Sequence, residues 1–136
     1  MTRMQKFAWF NLGVIVLTLL VVFSLLPVIG YRAMGGLGFL GFIGFGPLFF
    51  RKTAGQIVAD ERDLQIQWRA WIFAYALYWV IFVLVAVVLS AAVYGEDGAV
   101  PVPVVRMSVA WAFMLVYALA SIAILVQYAG GARNVE

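Results

Sequence analysis

An all-α integral membrane bundle of four spans is the fold class this sequence predicts, and three observations predict it. Of the 136 residues, 66% are hydrophobic and only 11% charged, whereas water-soluble domains run near half apolar and a quarter charged. Mean hydropathy is +1.06. The fifteen charged residues leave four charge-free stretches, 7–31, 33–50, 70–95 and 107–132, of 25, 18, 26 and 26 residues. A helix needs about 20 apolar residues to cross the hydrocarbon core, so three stretches are ample and the second is short. The chain reads as a single domain, with spans at 7–29, 33–50, 70–94 and 107–128 and a cytosolic loop at 51–69.

Charge sets the orientation. The first apolar stretch follows Arg3 and Lys6 as a signal peptide would. It is about twice the length of such a segment and shows no small-residue cleavage site, so it reads as a retained span. With the N-terminus inside, Arg3, Lys6, Arg51, Lys52, Arg62, Arg69 and Arg133 fall on the cytosolic side, against Arg32 and Arg106 outside. That is a strong positive-inside bias, and it predicts both termini in the cytosol of a cell with an inner (cytoplasmic) membrane. The net charge of +3 gathers at the inner face, where anionic lipid headgroups account for it without any nucleic acid.

Span one carries Asn11 near its inner end and Pro27 in its last turn. Proline there ends or bends the helix at the outer surface. Asn11 is placed either to hydrogen-bond a neighbouring helix or to sit at headgroup depth beside the interfacial Trp9.

Span two has a triplet rhythm. Gly35, Gly38, Gly41 and Gly44 recur every three residues, with Phe39, Phe42 and Phe45 in step. Small residues let a second backbone approach closely, so these glycines are the predicted helix contact. On an α-helix, steps of three leave the groove drifting around the axis and suit a crossing partner. The same period fits a 3₁₀ helix, and a re-entrant or pore-lining segment is the competing reading. Pro47 closes the span before the basic pair Arg51 and Lys52.

The inner loop holds the one dense polar cluster of the sequence, Asp60, Glu61, Arg62 and Asp63. Carboxylates at this spacing cap a helix start and oppose the positive end of its dipole. The third helix is therefore expected to begin near Asp60, cross the cytosolic interface and enter the hydrocarbon near Ala70. The four residues form a predicted cytosolic cap and docking patch. Within the span, Trp68, Trp71, Tyr75, Tyr78, Phe82, Val85 and Leu89 are spaced alternately by three and four, an a/d seam with aromatics over its cytosolic half. Such a seam serves helix contact or holds a lipophilic ligand.

Span four shows a similar seam in Trp111, Met114, Ala118, Ser121, Leu125 and Tyr128, with Ser108 and Ala112 as a small pair. Spans three and four are thus expected as antiparallel neighbours. The loop between them contains Pro101, Val102 and Pro103, an expected extended connector. Gly130 and Gly131 are expected to end the last helix.

The chemistry left to such a chain is narrow. With neither histidine nor cysteine, there is no imidazole or thiolate to ligate haem or zinc or to build a nucleophile pair. The four spans hold no ionisable acid or base of the kind ion-coupled carriers place inside the membrane. No cofactor and no metal site is expected. The expected role is non-catalytic, an accessory or structural subunit of a membrane complex or a homo-oligomer, with membrane lipids and other membrane subunits as partners. A small channel or carrier for an uncharged or lipophilic solute is the alternative.

The order of a glycine-rich span, a basic pair and a D-E-R box before a transmembrane helix resembles a family of small prokaryotic membrane proteins of unknown function. The matching residues are Asp60, Glu61, Arg62, Ile66, Ala70 and Tyr75. The resemblance implies location and topology and leaves mechanism open.

Overall fold

Helix α1 (Arg3–Ile29) opens on a capping box. The Thr2 hydroxyl accepts from the Gln5 amide at 3.3 Å, and the Gln5 side chain accepts from the Thr2 amide at 2.8 Å. Two orphan donors of the first turn are satisfied in this way. The computed structural model describes residues 2–46, 61–89, 91–92 and 98–133, which are helical almost throughout and include no strand. After α1 come a 3₁₀ helix (Gly30–Phe45), α2 (Glu61–Leu89) and α3 (Val102–Arg133). Three helical stretches, Arg3–Phe45, Glu61–Val88 and Met107–Gly130, are long and apolar enough to cross a membrane. The first joins α1 to the 3₁₀ helix.

Pro27 lies inside α1, two residues before its end, and the reversal is made at Gly30. That glycine has φ of 59°, a left-handed value that costs a side chain dearly and glycine little. The chain then turns back along α1. Gly36 lies against Val21 and Val22, and Gly46 lies against Phe7, so the two segments are antiparallel. Ten residues of the second segment thus match fifteen of the first. The 3₁₀ rise of about 2.0 Å per residue against about 1.5 Å in the α-helix explains the ratio.

Helices α2 and α3 form the other antiparallel pair, and α1 against α3 joins the two pairs. The buried face of α1 is Ala8, Asn11, Val14, Ile15, Thr18 and Val22, a three-and-four spacing rich in small residues. Two clusters make the core. Val14, Ile15, Leu40, Ile43 and Met114 fill the middle, while Ala8, Ala70 and Ile124 meet nearer the Thr2 end.

Two helix ends differ from the sequence expectation. Helix α3 begins at Val102, inside the proline run, and continues through Gly130 and Gly131 to Arg133. Pro103 is tolerated because first-turn amides have no intrahelical acceptor to lose. The amides of Val104 and Val105 turn back to the Pro101 carbonyl at 2.9 and 3.4 Å.

Candidate functional site

The 3₁₀ helix sorts the triplet sequence into three straight rows. With three residues per turn, positions i and i+3 eclipse, so the glycine stripe runs parallel to the axis and does not drift as it would on an α-helix. One row, Leu37, Leu40, Ile43 and Gly46, faces α1 and the core, with Leu40 and Ile43 buried. A second row is Phe39, Phe42 and Phe45, exposed, with ring centroids 5.8 and 6.1 Å apart. That spacing is one 3₁₀ turn of about 6 Å. The third row is Gly35, Gly38, Gly41 and Gly44. A Cβ added at any of these four would meet nothing within 4 Å. The predicted helix contact is therefore the open face of the chain, and the aliphatic row, together with Ala33 and Gly36, makes the contact with α1. Runs of 3₁₀ beyond a few residues are uncommon because eclipsed side chains collide. Here one row has no side chains to collide, and another sets flat rings one turn apart, Phe39 stacked on Phe42 and Phe45 tilted to it.

On α2, the residues that turn inward are Ile66, Ala70 and Ala74, all buried. Of the aromatic seam, Trp71 meets Tyr117 edge-on at 5.2 Å, and Tyr78 is half-buried beside Phe82 at 5.7 Å. Trp68, Tyr75 and Phe82 are exposed. Alanine at two successive turns lets α3 approach closely, which sends the large rings to the flanks. Small residues four apart were the sequence signal for this face, hidden behind the louder aromatic period.

Of the predicted cap, Asp60 lies outside the described residues. Glu61 and Asp63 occupy the first turn of α2, where their charge suits the helix dipole. Asp63 also does what no local pattern announces, accepting a hydrogen bond from the Tyr128 hydroxyl across 65 positions of sequence. Arg62, Gln65 and Arg69 point outward. Asn11 is 4% exposed, and its Oδ1 has no hydrogen-bond partner among the described residues. The buried Thr18 hydroxyl donates to its own helix, to the Val14 carbonyl at 2.8 Å.

Further from Asp63 and Tyr128, α1, α2 and α3 line a half-open apolar cleft of about 730 Å³. Tyr78, Phe82 and Trp111 prop its walls apart, while Ala86, Ala112 and Ala118 are too small to fill the space between. Ser108 is on the lining, but its hydroxyl donates to the Val105 carbonyl at 2.7 Å.

No family model, no characterised protein and no solved structure matches the chain.

Proposed function

We propose that this protein is a non-catalytic subunit of the cytoplasmic membrane, with four crossings and both termini cytosolic, that works by offering its 3₁₀ helix to another transmembrane helix. The partner is a second copy or a larger membrane protein. One observation carries the reading: the four-glycine row is open along its whole length while every other face of that helix carries side chains. Backbone exposed in a groove is where helices associate in lipid, because association there is driven by close van der Waals approach. Supporting the fourth crossing, 16 residues of 3₁₀ helix extend about 32 Å, enough for a hydrocarbon core of about 30 Å that the same residues as α-helix would not span.

The test is Gly41→Leu, compared with wild type by native mass spectrometry from lipid nanodiscs. A Cβ at Gly41 meets nothing in the single chain, so the variant should insert and fold. Loss of the stoichiometric partner or of the homo-oligomer is expected. Assembly unchanged from wild type would overturn the reading.

A further inference from the structure

The open face of the 3₁₀ helix carries two rows, and the second bears on what lies against the first. Over 38–45 the aliphatic row is turned to α1. The glycine and phenylalanine rows, each a third of a turn from it, therefore flank the direction that points away from α1. Phe39, Phe42 and Phe45 are 39%, 48% and 50% exposed, with ring centroids 5.8 and 6.1 Å apart. Gly38, Gly41 and Gly44 leave places where an added Cβ meets nothing within 4 Å, and these recur at the same 3₁₀ step of about 6 Å. One helix thus carries a straight row of knobs beside a straight row of holes, at a common spacing.

That pairing selects the occupant. An α-helix sets side chains about 6 Å apart only along its i±4 ridge, which winds about 26° off its axis. Such a ridge crosses the glycine row and leaves it, and it offers no straight row of holes to the three rings. A second 3₁₀ helix of this chain offers both. Two copies inserted in the same direction are related by a two-fold axis along the membrane normal. Rotation about that axis sets the glycine row of each copy opposite the phenylalanine row of the other, at the same depth. Phe42 of one copy then falls between Gly41 and Gly44 of the other, about 2 and 4 Å from them along the axis. At their observed exposure the three rings offer about 300 Å² per copy. Covering as much glycine backbone brings the pair to about 1,200 Å², where specific interfaces begin. No charge lies between Arg32 and Arg51, so nothing along these rows opposes the approach.

Resting on the reading that the glycine row receives a transmembrane helix, we infer that the helix received is the 3₁₀ helix of a second copy. The two form a parallel two-fold dimer in which Phe39, Phe42 and Phe45 of each copy fill the places left by Gly38, Gly41 and Gly44 of the other.

The test co-expresses two full-length chains with different tags, one with Gly41→Leu and one with Phe42→Ala, and weighs the recovered species by native mass spectrometry from lipid nanodiscs. Gly41→Leu alone should lose its homodimer, because the added side chain meets the Phe42 ring of the other copy. Beside Phe42→Ala that side chain enters the vacated place. The mixed dimer should then exceed the Gly41→Leu homodimer by about tenfold, the effect of relieving overpacking. Both positions are exposed in the single chain, so insertion is expected to be unchanged. Copies bearing Gly41→Cys and Phe42→Cys give a second measurement, since the chain has no other cysteine. On oxidation the mixed disulfide should form in greater yield than that of either variant with itself. Mixed dimers no more abundant than the Gly41→Leu homodimer, or disulfides formed without preference, would overturn the inference. Wild type held by a different membrane protein, with no second copy, would overturn it too and leave the proposed function standing. Wild type recovered alone would remove both.

Discussion

Tyr128 and Asp63 are each half-buried, and their hydrogen bond ties the last turns of α3 to the first turn of α2. A hydroxyl donating to a carboxylate is among the stronger neutral-to-ion bonds, although in a membrane protein the measured worth of such pairs is modest. Tyr128→Phe keeps the ring and removes the donor. It should lower stability by about 1 kcal/mol, read as a fall in the unfolding midpoint in a titration with a denaturing detergent. Asp63→Asn should then cost less in the Tyr128→Phe background than in wild type, because the shared interaction is already gone. Full additivity in that cycle would show the bond to be idle. Asn11 and Thr18 show two ways of treating a buried polar group. Thr18 satisfies its hydroxyl within its own turn at 2.8 Å, and so needs no neighbour. At 4% exposure the Asn11 Oδ1 has no partner among the described residues, an arrangement that favours any contact that brings a donor.

The 3₁₀ helix is where sequence and structure meet most directly. The glycine and phenylalanine period was legible as a period of three, and period three belongs to a 3₁₀ helix as naturally as 3.6 belongs to an α-helix. What the pattern did not reveal was which row turns inward, since the aliphatic row of Leu37, Leu40 and Ile43 is less conspicuous than the glycines beside it. The same masking occurs on α2, where Ile66, Ala70 and Ala74 are buried and the louder aromatics flank them. Helix existence and approximate limits were legible from charge-free lengths, but the bond from Asp63 to Tyr128 and the apolar cleft arise from long-range packing that leaves no local mark. Two predictions belong to this element. Gly46→Ala drives a Cβ into the Phe7 ring, whereas Gly44→Ala meets nothing. The first should cost about 1–3 kcal/mol as overpacking, with recovery on adding Phe7→Leu, and the second almost nothing in the isolated chain. Equal midpoints for the two alanine variants would count against the antiparallel contact. Spin labels at Tyr31 and Phe45 give the second measurement. Fourteen residues of 3₁₀ helix separate them by about 28 Å, against about 21 Å for an α-helix, and a pulsed dipolar distance near the lower figure would reject the 3₁₀ assignment.

For the whole molecule, the number of crossings turns on that same element. If the 3₁₀ helix crosses the bilayer, the chain has four crossings and its two ends share a side. If it does not, positions 32 and 53 lie on one side and the C-terminus lies opposite the N-terminus. The charge distribution and the match of ten 3₁₀ residues to fifteen of α1 both favour the four-crossing arrangement. Because the chain has no cysteine, single-cysteine variants need no background removed. In intact cells, a membrane-impermeant maleimide should label Arg32→Cys and Ala99→Cys, and should label Thr53→Cys and Asn134→Cys only after the cells are opened. Arg32→Cys and Thr53→Cys are the deciding pair, since Arg32 sits in the first turn of the 3₁₀ helix and position 53 follows that helix in sequence. Equal labelling of both from outside, together with Asn134→Cys, would turn the 3₁₀ helix into a re-entrant arm against α1. Its glycine row would then lie in the plane of a shorter loop, with no length over which to receive a second transmembrane helix, so topology and proposed function stand or fall on one pair of measurements.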